Sequence, residues 1–230
     1  MCPPSSLTSS NMDAPQTPDP SFDPLNMVPA TIISRTAFQL ASKLLSPAIL
    51  NHSLRVYLYA KALAQESHSF FVSDPPKHDI LFTACIMHDI GTSSTYDGPQ
   101  RFEVEGADAA VAHLISHGVS ESDAHQAWIA IALHTSPGIA ERINELTSIV
   151  RRAVLIDFGR KVGGSPERLE QLTVDLEGKL PRLRIEKVLG DAVVEQAVRR
   201  PEKAPAASWP NNLYKAYLAD PEWDGDNKGF

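Results

Sequence analysis

The stretch HDILFTACIMHDIG, residues 78–91, decides the fold class of this chain. Residues 78–89 are apolar on nearly every side of a helical projection, which is typical of a helix in the middle of a helical domain. Gly91 is predicted to end this helix, because glycine is the usual residue just past a helix end. The polar pair His88–Asp89 therefore falls at the end of an apolar helix. It is either part of a metal site or two polar residues at a helix end.

Helical spacing of apolar residues continues on both sides of this central helix. Ser34 is the expected cap of the first helix, Pro47 opens the second, and Ser120 or Ser122 caps a later one. Strand patterns are almost absent. The sequence therefore predicts an all-α fold. The further helices are expected at 34–46, 47–66, 105–116, 124–136, 141–159, 167–176 and 184–198.

The two ends of the chain differ in composition from this helical core. Residues 1–30 contain seven of the 18 prolines together with many Ser and Thr residues. Such a segment buries too little apolar surface to offset its ordering entropy, so a disordered tail is predicted. The helical core is expected at 31–200. Residues 201–230 are expected to pack on the core, with Trp209 docking this segment.

Composition and charge narrow the classes of function. The net charge is −7 and 43% of residues are apolar, so the chain lacks the basic surface that nucleic acid or an anionic membrane needs. No run of about 20 apolar residues is present, and the N-terminus shows no secretory signal. Cys2 and Cys85 cannot build a disulfide framework, which favours a reducing compartment. We therefore expect a cytoplasmic protein with a small-molecule substrate, no nucleic-acid or membrane partner, and a homodimer as the default association.

Five ionisable residues stand in apolar helical segments. They are His52, His88, Asp89, His134 and Asp157. Taken singly, each has an ordinary explanation: a buried histidine is usually hydrogen-bonded, and an aspartate near a helix end is usually a cap or an ion-pair partner. Buried ionisable groups are costly unless they are paired or bind a metal. A divalent cation shared by several of these side chains would satisfy them together.

Four sequence segments resemble a known family. NHSLRVYLYA (51–60), HDIGT (88–92), RFEVEGADAA (101–110) and AIALHTSPGIA (130–140) are similar to the fungal cyanamide hydratase branch of the HD-domain superfamily. The resemblance runs from about Thr36 to Phe158 and extends weakly into 180–187. It implies an HD-domain helical bundle with a central metal site.

The resemblance also implies the ligands and the chemistry. The metal ligands would be His52, His88, Asp89 and Asp157, holding one Zn²⁺ per chain, with iron the less favoured metal. Imidazole and carboxylate suit Zn²⁺ when one position stays open for water, and the metal lowers the pKa of that water to about 7. In a hydratase, the water adds to a nitrile carbon and cyanamide becomes urea.

Further roles fall on residues within the same segments. His134 is a candidate catalytic residue that hydrogen-bonds the substrate nitrogen or transfers a proton. Glu103 is a second catalytic candidate, which orients the water or a ligand histidine. Thr92 and Thr135 are candidate hydroxyl donors to the substrate, and Phe102 is a candidate pocket wall.

Two other classes of function stay open. Some HD enzymes, including phosphohydrolases and di-iron oxygenases, hold two metals with two additional histidines, and His113 and His134 have the spacing for this role. Phe102 stands four residues before Gly106, where such enzymes often carry a histidine, and His113 falls among apolar neighbours as a packing residue. One metal is therefore favoured, although the carboxylate of Glu103 keeps a second ion open. The other class is a helical binding module whose inherited site holds no metal.

Overall fold

The computed structural model describes residues 23–160, 162 and 167–230. Within those ranges the chain forms eleven α-helices and no strand, which confirms the all-α prediction. Short 3₁₀ helices occur at Pro24–Met27, Ile90–Thr92, Ser94–Tyr96 and Pro201–Lys203. The α-helices are α1 (Ile32–Leu44), α2 (Pro47–Glu66), α3 (Phe70–Ser73), α4 (Pro75–Met87), α5 (Phe102–Ser116), α6 (Glu121–Leu133), α7 (Ala140–Ile143), α8 (Glu145–Asp157), α9 (Glu167–Lys179), α10 (Ile185–Arg199) and α11 (Trp209–Ala219).

Helix α4 lies at the centre of the bundle, as its apolar sequence predicts. Every residue from Asp79 to Met87 is buried, and α4 packs against α1, α2, α5 and α6. The helix begins at Pro75, earlier than predicted, because proline is well suited to a first turn whose N–H groups have no helical partner. It ends at Met87, and His88 is its C-cap. The His88–Asp89 pair therefore follows the helix instead of closing its last turn.

Gly91 has a different structural role from the predicted one. Helix α4 has already ended when the chain reaches Gly91, which lies in the 3₁₀ helix Ile90–Thr92 and packs against the first turns of α5. A Cβ atom at Gly91 would overlap the carbonyl oxygen of Phe102 and lie 2.8 Å from the backbone nitrogen of Gly106. The absence of a side chain is needed for this close backbone approach.

The helix caps agree with the sequence in part. Pro47 opens α2 after the Ser46 cap, and Ser120 caps α6 by accepting a hydrogen bond from the Asp123 backbone at 3.2 Å. The prediction of Ser34 as the first cap was wrong, because Thr31 caps α1. Ser34 is buried inside the helix, where its hydroxyl donates to Asp79 at 2.6 Å.

The segment expected to be one helix at 141–159 is divided. Asn144 is extended, with φ −159° and ψ 173°, and separates α7 from α8. Its side-chain oxygen accepts a hydrogen bond from the Thr147 backbone at 2.8 Å, which caps α8. Asparagine competes well for such local backbone bonds, so it starts a new helix here and does not continue the old one.

The two ends of the described chain both contact the helical core. Residues 1–22 of the predicted tail lie outside the described residues, whereas Pro24–Met27 is helical and Val28 is buried in the core. At the other end α11 packs against α10. The ring of Trp209 lies 5.3 Å from that of Phe230, and Phe230 lies 4.9 Å from Phe158. These aromatic contacts bring the end of the described chain over α8.

None of the described helices combines the length and the apolar character that crossing a bilayer requires. Cys85 is a free thiol buried in α4, and Cys2 falls outside the described residues. Burial raises the pKa of the Cys85 thiol, so it stays protonated and has the character of a small apolar core residue.

Candidate metal centre

Three buried side chains offer ligand atoms to a common point in the bundle. His52 from α2 and the pair His88–Asp89 after α4 place these atoms within 4.8 Å of one another. The Nε2 atoms of His52 and His88 are 3.1 Å apart, and the Asp89 Oδ2 atom lies 3.1 Å from His88 Nε2 and 3.5 Å from His52 Nε2. All three side chains are fully buried. In the part of the chain that the structure describes, this is the single such group.

The hydrogen bonds behind the two imidazoles select the tautomer that binds metals. His52 Nδ1 lies 2.6 Å from Asp157 Oδ2, and His88 Nδ1 lies 2.7 Å from the Cys85 carbonyl oxygen. Both acceptors favour a proton on Nδ1. The Nε2 lone pairs are then free and face each other, an arrangement that is repulsive unless a cation or a proton lies between them.

The carboxylate of Asp89 is the strongest indication of a cation. Both of its oxygens are buried, and neither has a hydrogen-bond partner among the described residues. Burial raises the pKa of this carboxyl, but the neighbouring imidazoles, foremost His88, outweigh burial and hold the pKa well below its usual range. A charged carboxylate buried without donors is costly unless it is paired or binds a metal. Two imidazole nitrogens and a carboxylate are the donors that Zn²⁺ accepts, so the residues fit a divalent metal.

Asp157 does not join this group of ligand atoms, although it was predicted to be a ligand. Its carboxylate lies behind His52, where it accepts from Arg55 Nε at 2.6 Å and from Arg55 Nη2 at 2.9 Å. Arg182 also lies near, with its Nη1 atom 3.8 Å from Oδ2. The side chain is thus engaged by His52 and Arg55, an arrangement in which the carboxylate orients a histidine ligand.

His134 stands on the other side of Asp89. Its Nε2 atom lies 3.6 Å from Asp89 Oδ1, and its Nδ1 atom lies 2.6 Å from the Ile131 carbonyl oxygen. Its ring meets that of His88 edge-on, with the centroids 4.9 Å apart. The structure therefore places the predicted catalytic histidine beside the ligand group, with its free Nε2 atom directed toward it.

The family comparison agrees with this arrangement. The HD domain family matches residues 49–176, more than half of the chain, and the match contains His52, His88, Asp89 and Asp157. The chain belongs to the HD domain family. No curated protein shows significant similarity to it. HD domains are metal-dependent enzymes as a class, which supports both a metal site and an enzymatic role here.

A cavity of about 570 Å³ opens onto the three candidate metal ligands. This volume is within the usual range for small-molecule sites. His52, His88, Asp89 and His134 form one part of its wall. Helices α8, α10 and α11, the turn after α6 and residues just outside the helices, among them Arg101 and Phe230, supply the rest. Two sets of side chains stand out in that wall, three arginines and three aromatic rings: Arg101, Arg151, Arg160, Phe158, Trp209 and Phe230.

The predicted substrate-binding residues are not all in this wall. Thr135 lines the cavity, whereas Thr92 and Phe102 are not among its lining residues. The Thr92 hydroxyl donates to the Asp89 carbonyl at 2.7 Å and so supports the turn that carries Asp89. Phe102 is buried, and its ring packs edge-on against His134 with the centroids 5.8 Å apart.

Glu103 is likewise absent from the cavity wall, contrary to its predicted catalytic role. It is fully buried and binds the guanidinium of Arg101 through both oxygens, at 2.5 Å and 3.0 Å. The Thr135 hydroxyl donates to it at 2.7 Å. The carboxylate is thus fully engaged, and Arg101 takes its place in the wall. The Arg-Phe-Glu spacing at 101–103 was the one signal in the sequence that could have indicated Arg101.

Of the two histidines considered for a second metal, His134 lies beside Asp89 and His113 does not. His113 Nε2 lies 3.0 Å from the Ile33 carbonyl oxygen, and its ring packs on that of His117. This agrees with the packing role expected for His113. Glu103 is paired with Arg101, and among the described residues the group that could hold a metal consists of His52, His88 and Asp89.

Proposed function

We propose that this chain is a single-metal HD enzyme that activates water for attack on a small substrate. The observation that carries the proposal is the convergence of two imidazole Nε2 atoms on a buried carboxylate to which no described residue donates a hydrogen bond. Zn²⁺ bound at His52, His88 and Asp89 would supply Lewis acidity, which at such centres lowers the pKa of water to about 7.

Two further residues of the site orient a metal ligand and transfer a proton to or from the substrate. Asp157 keeps the Nδ1 proton of His52 in place, so that the Nε2 lone pair stays directed at the centre. His134 offers a free Nε2 atom on the cavity side and is suited to pass a proton to or from the substrate. The apolar and aromatic walls limit the access of bulk water to this position.

The first candidate reaction is addition of water to a nitrile-type substrate such as cyanamide. The new oxygen bonds to the nitrile carbon, protons go to nitrogen, and cyanamide becomes urea. Support comes from the four sequence segments that resemble the cyanamide hydratase branch, since they contain His52, His88, Asp89 and His134. The single group of metal-binding residues within the described part of the chain agrees with a one-metal hydratase.

The second candidate is hydrolysis of a phosphoester, which the cavity itself favours. Arg101, Arg151 and Arg160 line the same space as the ligand group. Guanidinium groups bind phosphate oxygens well because their N–H groups match the spacing of two oxygens. Cyanamide carries no anionic group that would use these residues.

One set of assays separates these candidates. The purified protein is analysed for metal, loaded with one equivalent of Zn²⁺, and incubated with cyanamide or with a panel of phosphomonoesters and phosphodiesters. Urea formation would support the hydratase, and release of phosphate or alcohol the phosphohydrolase. His88→Ala should abolish either activity. A protein that binds no added metal and acts on neither substrate class would instead be a helical binding module.

A further inference from the structure

Two arginines of the cavity wall contact consecutive residues beside the ligand group. Arg101 Nη2 lies 3.1 Å from the Thr135 hydroxyl oxygen, and Arg151 Nη1 donates to the His134 carbonyl oxygen at 2.9 Å. Both guanidinium groups are therefore anchored to the segment that carries His134, although Arg101 precedes α5 and Arg151 lies in α8. This places two positive charges next to the candidate proton-transfer residue.

Both arginines keep donors that nothing in the described chain uses. Arg101 engages Glu103 and Thr135 through Nε and Nη2, which leaves Nη1 without a partner among the described residues. Arg151 uses Nε for Glu141 and Nη1 for His134, which leaves its Nη2. Buried Glu103 holds the planar guanidinium of Arg101 in one orientation, so its free edge is already positioned for a ligand.

The charge balance of the cavity wall favours an anion. Arg160 lines the cavity, is exposed to solvent, and has no side-chain partner in the described ranges. The acidic residues of the wall are Asp89 and Glu186. Asp89 belongs to the metal group, and Glu186 is paired with Arg182. The positive charge of Arg160 therefore has no acidic counterpart that is free within the wall.

The opposite part of the wall is aromatic. The ring of Phe158 lies 4.7 Å from that of His52, and Phe230 connects Phe158 to Trp209 through edge-to-face contacts at 4.9 Å and 5.3 Å. Such a surface suits a flat or apolar body. The cavity of about 570 Å³ is much larger than a molecule the size of cyanamide requires.

We propose that the substrate is an organic anion with an apolar or aromatic body, and that the three arginines of the cavity wall, Arg101, Arg151 and Arg160, supply the positive charge that binds its carboxylate or phosphate group. The proposal rests on the proposed function, because it assigns the substrate class of the same HD centre. The reacting group of the molecule would lie at the metal, its body against Phe158 and Trp209, and its oxyanion at the guanidinium groups.

Binding of non-reactive probes tests this without turnover. Isothermal titration calorimetry would measure benzoate, phenyl phosphate, acetate and the neutral matched compound benzamide. Each titration is made with the zinc-loaded protein and again after zinc removal, because a metal can itself bind a carboxylate. The variants are Arg160→Gln and the double variant Arg101→Gln with Glu103→Gln, which removes a buried ion pair as a unit. Arg35→Gln on the exposed face of α1 is the matched control.

We expect benzoate or phenyl phosphate to bind more tightly than benzamide and acetate, in both metal states. Each variant should raise the Kd of the preferred anion about tenfold or more, and the control should not change it. The preferred probe distinguishes a carboxylate from a phosphate substrate. Benzamide binding as tightly as the better of the two aromatic anions would overturn the proposal, as would unchanged binding of that anion in either variant or no anion binding by zinc-loaded wild type. Metal content, measured separately, reports on the proposed function alone.

Discussion

The Nδ1 atom of His52 lies 2.6 Å from Oδ2 of Asp157, and this contact defines how the centre is supported. The same carboxylate receives two hydrogen bonds from Arg55, so it is held from both sides. Burial raises the pKa of Asp157, but the bonds to His52 and Arg55 outweigh burial and keep the pKa far below its usual range. Asp157 thus stays charged and keeps a proton on His52 Nδ1, with Nε2 free for a metal.

Asp157 and Asp89 should differ in their effect on metal binding. We expect Asp89→Asn to abolish zinc binding, because it removes the charged ligand. Asp157→Asn should retain the one-to-one stoichiometry and weaken affinity about 10–100-fold, the usual effect of losing a carboxylate behind a histidine ligand. Competition with a chromogenic chelator measures both constants. Equal and complete loss of zinc in the two variants would show that Asp157 is itself a ligand.

Stability provides the control for that comparison. Asp157→Asn leaves Arg55 buried without its charged partner, so the free energy of unfolding should fall by about 3–5 kcal/mol. Adding Arg55→Met should restore much of this stability, since both charges are then gone, but it should not restore zinc affinity. Urea denaturation of the two variants separates the folding effect from the effect on the metal site.

Zinc binding should depend on pH through His88. Burial lowers the pKa of His88, but the charge of the nearby Asp89 carboxylate and the bond to the Cys85 carbonyl outweigh burial and raise the pKa above 6.5. The metal must displace this proton, so zinc affinity should rise about tenfold per pH unit until the raised pKa is passed. The pKa of His52 is lowered, with burial as the main cause, so His52 adds no competing proton near neutral pH.

The same shift predicts opposite pH trends for the two forms of the protein. A raised folded-state pKa of His88 stabilises the metal-free protein below pH 6.5, and this contribution is lost as pH rises through the raised value. The lowered pKa of His52 acts only below pH 6.5. Above pH 6.5 the zinc-loaded protein should therefore gain thermal stability relative to the metal-free protein. A constant difference in Tm across this range would contradict the assignment of a proton to His88.

His134 should be needed for turnover and not for metal retention. Its Nε2 atom approaches Asp89 Oδ1 at 3.6 Å but is not part of the ligand group. We expect His134→Ala to keep one zinc per chain and to lower kcat about 10²–10⁴-fold, as loss of a proton-transfer residue does. His125→Ala, on the exposed face of α6, is the control. Loss of zinc from the His134→Ala variant would indicate that His134 is a ligand. An unchanged kcat would show that His134 takes no part in the reaction.

Gly91 should tolerate no side chain. A methyl group there would overlap the Phe102 carbonyl oxygen, so Gly91→Ala should lower the free energy of unfolding by about 1–3 kcal/mol and weaken zinc binding through the displaced Asp89 turn. Gly178→Ala in α9, where a Cβ atom meets nothing within 4 Å, should raise stability by up to about 1 kcal/mol. Thermal denaturation of both variants is the measurement. Equal tolerance at the two positions would refute the close approach.

Local pattern was sufficient for much of the fold. The run from Ile80 to Met87 has no polar face, so it had to be a central helix, and Pro47 and Ser120 mark helix starts through their own backbone chemistry. The cap at Thr31 and the break at Asn144 were missed. At Thr31 the neighbouring Ser34 offered a comparable local signal, and packing decided between them, whereas at Asn144 the local bond to the Thr147 backbone starts the new helix. Ser34 is held inside α1 by a bond to Asp79, which is distant in sequence.

At the metal centre, too, the sequence predicted some features and the tertiary structure decided others. His52, His88 and Asp89 could be selected from the sequence because a charged or polar residue in an apolar helix requires a partner. The role of Glu103 could not be predicted from the sequence. Its partners are Arg101 and the Thr135 hydroxyl, and Thr135 comes from the turn after another helix. A carboxylate paired with a guanidinium and a carboxylate that is free to act on substrate look identical in a sequence.

The sequence by itself determined the helical class, the central helix and which side chains had to find a partner, since burial of apolar and ionisable groups depends on the kind of residue. Only the tertiary structure decided which partner each found. It placed Asp157 behind His52, left both oxygens of Asp89 without a hydrogen-bond donor among the described residues, and turned Arg101 toward the cavity. The physical reason is that ion pairs and metal sites depend on distances of a few ångströms between residues far apart in the chain, and packing alone sets those distances.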